Sequence, residues 1–211
     1  MKRLVLVVAA CLVGIVAQAQ PAPALRTINV ITFGGGVNLP IYVAQRQGFF
    51  AKHGVELNLR YTPNSVYLMT GLLEGRFDIA TSSIDNLVAY QGRAAFAVRG
   101  WLKDNEGAAI GFMRALREAT NWIYDPQNRE ICEAILLGND RDMTPALAKK
   151  TYDMFVDPKT GLYRDLKIDM DGFKVVLALR AKYGEPRREL GAPTKYVDLE
   201  LYRKAFPDAP R

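Results

Sequence analysis

The chain has 211 residues, of which 49% are hydrophobic and 24% charged, enough apolar content to bury an ordinary core and unlike a disordered chain. Its net charge of +6 comes from basic residues scattered along the sequence, not gathered into the stripe of a nucleic-acid reader, so that class is set aside. Two cysteines and one histidine are too few for a zinc site built from Cys and His, and with Cys11 in the leader described next, Cys132 has no partner for an internal disulfide.

Lys2 and Arg3 precede an apolar run from Leu4 to Val16 and the small-residue triplet Ala17-Gln18-Ala19. This is the pattern of a secretory signal peptide over residues 1–19. The run is shorter than the roughly 20 residues that span a bilayer. A lipobox at Val8-Ala9-Ala10-Cys11, leaving a lipid anchor on Cys11, is the alternative; the apolar stretch continues past Cys11, which favours cleavage after Ala19.

Residues 20–25 form a Pro/Ala linker. Three units then repeat one order: short apolar strand, polar or glycine turn, helix. Such alternation predicts parallel strands in an α/β layer. The first unit is a strand over Ile28–Phe33, a turn Gly34-Gly35-Gly36-Val37-Asn38, and a helix from near Pro40 to Gly48, with Asn38 as its cap. The second is an alternating strand Val55–Tyr61, the turn Thr62-Pro63-Asn64-Ser65, and a helix ending at Gly75 with Val66, Met69, Leu72 and Leu73 on one face. The third is a strand Phe77–Ala80, then Thr81-Ser82-Ser83, then a helix from Ile84 to about Tyr90, with Ser82 and Asp85 at capping-box spacing.

Beyond Gly92 one further strand, Ala95–Val98, is expected before a helix-rich remainder. Ala109, Phe112, Leu116, Ala119 and Ile123 make a buried stripe on a helix over about 104–124. Asp125-Pro126 and Thr144-Pro145 each pair a cap residue with a first-turn proline, opening helices over about 127–137 and 146–155; another runs from about Met170 to Tyr183. About seven helices on four strands exceed what so small a sheet covers on two faces.

The loops Gly34–Asn38, Thr62–Ser65 and Ser82–Asn86 all follow strands expected to be parallel, so they gather on one edge of the sheet. Open α/β folds bind ligands at that edge, where helix amino termini offer unpaired N–H groups. Asn38, Asn64, Ser65, Ser82, Ser83 and Asp85 are the candidate ligand-binding residues there; each also suits a cap. Tyr42, one turn into its helix, could add an aromatic wall. The glycine run is no dinucleotide fingerprint, because G-x-G-x-x-G would need glycine where Leu39 stands. The single His53 sits in an expected exposed turn and no G-x-S-x-G elbow occurs, so catalysis, cofactor and metal are not expected. Cys132, beside Ile131, Ala134 and Ile135, suits a small buried hydrophobe.

The segments N-L-P-I-Y-V-A-Q-R-Q-G-F-F-A-K-H-G-V-E-L-N-L (38–59), G-L-L-E-G-R-F-D-I-A (71–80) and D-N-L-V-A-Y (85–90) resemble the periplasmic solute-binding proteins of nitrate, sulfonate, taurine and thiamine-precursor ABC importers. W-I-Y-D-P-Q-N-R-E (122–130), T-P-A-L-A-K-K-T-Y (144–152) and R-A-K-Y-G (180–184) resemble that family's C-terminal third. The resemblance implies a periplasmic-binding-protein-like (type II) α/β lobe, a mostly parallel sheet covered by helices, spanning 26–211 and built from 26–91 and 94–211. The second lobe would be missing at about 91–94, a gap on the order of 100 residues.

It also implies a function: capture of a small solute of sulfonate, taurine, nitrate or thiamine-pyrimidine kind. The product would be periplasmic, peripheral to the membrane, and would dock on the transmembrane subunits of an ABC permease. Loss of one of two closing lobes would impair it, because good sites bury 70–90% of a drug-sized ligand. The alternatives are an enzyme like the eukaryotic relatives that make a thiamine pyrimidine precursor, which use a histidine and an iron-linked cysteine-rich motif, and a ligand-free interaction module. The absent cysteine cluster and the export signal count against the enzyme.

Overall fold

The computed structural model describes residues 24–82, 97–184, 187, 189–197 and 199–209. The expected signal peptide, most of the expected linker, the expected helix from Ile84 to about Tyr90, and the site candidates Ser83 and Asp85 lie outside the described residues.

Three strands, β1 (Arg26–Thr32), β2 (Val55–Tyr61) and β3 (Ile79–Thr81), form a sheet in the order β2-β1-β3. Both pairings are parallel, as the repeating units require; Thr32 sits opposite Tyr61 on one side and Thr81 on the other. The central strand has Ile28, Val30, Ile31 and Thr32 buried, while β2 is an edge strand with Glu56, Asn58 and Arg60 exposed. β3 starts two residues later than expected, because the Asp78 carboxylate accepts from both the backbone and side-chain N–H of Asn29, at 2.8 and 3.0 Å, where a ladder bond would form. The expected strand over Ala95–Val98 reduces, among the described residues, to a single antiparallel bridge between Ala97 and Ile79.

Helix α1 (Leu39–Arg46) stops short of Gly48, whose φ of +73° breaks the run. A short α2 (Phe49–Lys52) follows. Helix α3 (Ser65–Leu73) covers one face of the sheet through Leu68, Met69 and Leu72, packed on Ile31 and Ala80. The expected apolar face is thus rotated: Leu68 takes the inward place, and Val66 and Leu73 are exposed.

The other face of the sheet carries the main core. Helix α4 (Arg99–Ile123) buries Ala109, Phe112, Ala115, Ala119 and Ile123, with Leu116 half-buried, and packs against α1, α2 and β2. It begins earlier than expected and passes through a kink at Asn105, whose side chain donates to the Trp101 carbonyl at 3.0 Å. Phe50 stacks on Phe112 with centroids 5.6 Å apart.

Helices α5 (Arg129–Asn139) and α6 (Pro145–Phe155) close this core, burying Cys132, Ile135, Leu136, Ala148 and Tyr152. Thr144 caps α6 by accepting from the Leu147 N–H, and Asp125 caps the preceding turn through Gln127. Helix α7 (Met170–Tyr183), bounded as the sequence predicts, forms a satellite cluster through Phe173 and Leu177 with Leu190, Tyr196 and Val197. The last helix, α8 (Glu200–Ala205), is held on α4 by Arg114, which donates to the Ala205 carbonyl, and by Arg117 over the Phe206 ring. Among the described residues no helix is long and apolar enough to cross a membrane.

Candidate functional site

Parallel pairing puts the loops after β1, β2 and β3 on one edge of the sheet, and the chain leaves central β1 for opposite sides, to β2 and then to β3. Such a reversal is where open α/β sheets leave a crevice for ligands. The in-register row Tyr61, Thr32 and Thr81 ends the sheet there. Neighbours in register share a face, so all three lie on the face carrying Val30 and Leu59.

Asn38 is the centre of this edge. It precedes α1, but its side chain makes no capping bond and is 4% exposed. Its Oδ1 accepts from the Thr32 hydroxyl at 2.9 Å, and its Nδ2 donates to the carbonyls of Phe33 at 2.6 Å and Gly35 at 3.3 Å. The expected cap is therefore an internal strut, because a buried amide must find its partners inside the fold. Tyr42 is buried too, with its ring in the main core; its hydroxyl donates to the Gly35 carbonyl at 3.3 Å and accepts from Asn38 and Tyr61.

Asn64 behaves as the sequence predicts for a cap: it accepts from the Tyr67 N–H at 2.8 Å and is exposed. Ser65, half-buried, opens α3, and buried Thr62 donates to the Asn64 carbonyl at 2.7 Å. Ser82, half-buried, directly follows β3. The structure thus brings Asn38, Tyr42, Asn64, Ser65 and Ser82 to one edge; Ser83 and Asp85 are outside the described residues.

Three further residues join them. Tyr61 ends β2 and donates to Tyr42 at 3.3 Å. Burial of its hydroxyl end pushes the phenol well up, reinforced by the bond to Tyr42 and by the nearby Tyr42 and Asp140 charges. Thr32 follows the same alternation one strand over. Both were readable as the last inward residues of their strands. Asp140, from the α5–α6 loop, reaches within 4.0 Å of where a Gly35 side chain would begin; nothing local in sequence signals it. The Thr81 hydroxyl is buried and has no partner among the described residues.

His53 lies just before β2, at the opposite end of the strand from this edge. It is not the exposed turn residue expected: it is only partly exposed, and its Nε2 is 2.8 Å from Glu118 on α4. Among the described residues no group of three or more His, Cys, Asp or Glu could hold a metal ion. What the edge offers is neutral hydrogen-bonding chemistry, hydroxyls, amides and loop N–H groups, with one charged group, the Asp140 carboxylate.

The family model described as NMT1/THI5 like matches residues 37–98, the stretch that holds the second and third edge loops and the end of the first. A solved structure of a protein from Bordetella bronchiseptica RB50 is similar in fold, with a TM-score of 0.67 at 12% identity, over 86% of this chain and 97% of that one. No curated protein gives a significant match. Fold and edge together define the class: a mixed α/β fold with a three-stranded parallel sheet and a helix-rich C-terminal half.

Proposed function

We propose that this chain captures a small solute at the C-terminal edge of its sheet, as the substrate-binding component of an ABC importer, and is not an enzyme. The carrying observation is the convergence of three strand-end loops, with Asn38, Tyr42, Tyr61 and Asn64, at the point where the strand order reverses. The NMT1/THI5 like match supports a solute-binding or thiamine-precursor-related role, and the sequence resemblance points to sulfonates, taurine, nitrate or thiamine pyrimidines. On this reading the leader exports the chain to the periplasm, a permease is its partner, and residues 26–91 and 94–211 build one lobe, the second being lost at about 91–94. A single wall holds a solute weakly, since closure of two lobes is what buries the ligand.

The thiamine-pyrimidine synthase reading rests on the same family match. It needs a histidine at the site, and His53 is tied to Glu118 at the far end of β2. Thermal melts of the full chain with millimolar methanesulfonate, taurine, nitrate and an aminopyrimidine test the proposal. Binding to the native state raises stability by RT ln(1 + [L]/Kd), about 2.7 kcal/mol at a hundred times Kd. A cooperative melt that one solute raises supports capture and names the class; a cooperative melt that none raises counts against it.

A further inference from the structure

The β1–α1 loop is tied down by its carbonyls. The Phe33 carbonyl accepts from Asn38 Nδ2; the Gly35 carbonyl accepts from Asn38 Nδ2, the Asn38 backbone N–H and the Tyr42 hydroxyl. Asn38 is itself fixed by Thr32 and buried. On the other side of these two peptides, nothing among the described residues accepts the N–H groups of Gly34 and Gly36, and the Gly35 N–H, on the peptide between them, has no acceptor there either. Gly34 is exposed and the other two are half-buried. Gly35 has φ +119° and ψ 172°, a conformation reserved in practice for glycine. Gly36 packs within 3.2–3.4 Å of Met143, Thr151 and Leu136 at the position where a side chain would start, which pins the loop from behind.

We infer that Asn38 is a positioning residue: by drawing the Phe33 and Gly35 carbonyls inward, it leaves the amides of Gly34 and Gly36, with Gly35 between them, available to acceptor oxygens of the solute. Successive backbone N–H groups held in this way make a concavity for anionic or carbonyl oxygens. Preorganisation matters because an untied glycine loop would lose conformational entropy on binding. Asn38 touches no solute in this arrangement; Thr32 acts through Asn38, and Tyr42 shares the Gly35 carbonyl. The inference rests on solute capture at this edge.

The test follows backbone amide resonances of the full chain during titration with methanesulfonate, in wild type, Asn38→Asp and Thr32→Val. Asn38→Asp keeps the acceptor for Thr32 and removes both side-chain donors; Thr32→Val is the milder variant should Asn38→Asp not fold. Asp169→Ala, which removes the cap of distant α7, controls for lost stability.

The expected result is that Gly34–Gly36 amides move saturably in wild type, and that both edge variants bind about tenfold more weakly, as loss of loop-fixing hydrogen bonds implies. Asp169→Ala should bind as wild type. Without ligand, the heteronuclear NOE of Gly34–Gly36 should fall in Asn38→Asp. Edge variants that bind like wild type with unchanged NOE values overturn the positioning role. Wild-type amides that stay still while another solute raises the melt overturn the loop as the acceptor site and leave solute capture standing. If no solute raises the melt, capture fails and the loop's role fails with it.

Discussion

Gly111 on α4 lies against the backbone carbonyl of His53, so near that a methyl group on Gly111 would overlap the His53 oxygen and crowd Val55, whose Cγ2 would be 2.9 Å away. The contact sets how closely the long helix approaches the start of β2. Neither neighbour is the free end of a flexible side chain, so little can give way. Gly111→Ala is expected to destabilise the fold by about 1–3 kcal/mol, the usual range for overpacking, in spite of alanine's better helix propensity. Urea unfolding followed by circular dichroism reads this; an unchanged or raised midpoint would contradict the contact. Gly107, with open space around it, is the matched control and should gain slightly from the same change.

The neighbouring ion pair gives a pH dependence. Burial alone would push the Glu118 carboxyl up, but hydrogen bonds from Lys52 and His53 outweigh it and hold it below its ordinary value. A depressed carboxylate contributes stability that is present above its unfolded pKa, about 4.3, and is lost as pH falls through the lower folded value. Glu118→Gln should therefore cost about 0.5–1 kcal/mol near neutrality. The difference in melting temperature from wild type should shrink as pH drops from about 5.5 to 3.5. A constant difference across that window would mean that the pair contributes through shape and not through charge.

Much of this architecture is legible in the sequence because it is written locally. The β2 strand Val55–Tyr61 and helix α7 Met170–Tyr183 agree with their predicted bounds, and Asn64, Thr144 and Asp125 cap where a short polar residue precedes a helix or turn. Asn38 has the same local signature, yet its amide turns inward, because Thr32 and two loop carbonyls outcompete the helix N–H groups. Val66 and Leu73 satisfy a helical period, but the sheet meets α3 at Leu68, Met69 and Leu72; which face is covered is a tertiary outcome. Asp140 comes to Gly35 only through the packing of α5 on α1, which no local pattern encodes.

Cys132 shows how far burial quiets a reactive group. Its side chain is inaccessible, among Ile135, Leu136 and Ala148 in the same cluster, and burial, with the Glu133 charge beside it, pushes the thiol up to about 12. The thiolate is the reacting form, so native Cys132 should be inert to a thiol-disulfide reagent at pH 8. In a Cys11→Ala background, labelling should follow global unfolding in urea and coincide with the loss of ellipticity. Rapid labelling of the folded chain would place Cys132 in an opening segment, contrary to its position in the main core.

Tyr61 joins the edge strand to α1 through Tyr42, and removing one oxygen atom separates its stabilising and recognition roles. Tyr61 as a whole is 49% exposed, while its hydroxyl meets Tyr42 at 3.3 Å. Tyr42 retains its bonds to Gly35 and Asn38, so Tyr61→Phe should change stability by no more than about 1 kcal/mol. The phenol is held above the ordinary tyrosine value of about 10, first by burial of its hydroxyl. The stability it gives in its neutral form is therefore complete below pH 10 and is lost as pH rises above it. In an absorbance titration near 295 nm, Tyr61→Phe should lose part of the late-ionising component of wild type, the rest coming from Tyr124, Tyr152, Tyr163 and Tyr202, which are also held up. If the edge holds solute, the same variant should also weaken binding, because the hydroxyl oxygen at the end of β2, whose hydrogen goes to Tyr42, is lost as an acceptor. Loss of that part of the late component with binding intact would confine Tyr61 to structural support of α1 and shift recognition toward the Gly34–Gly36 amides and Asn64.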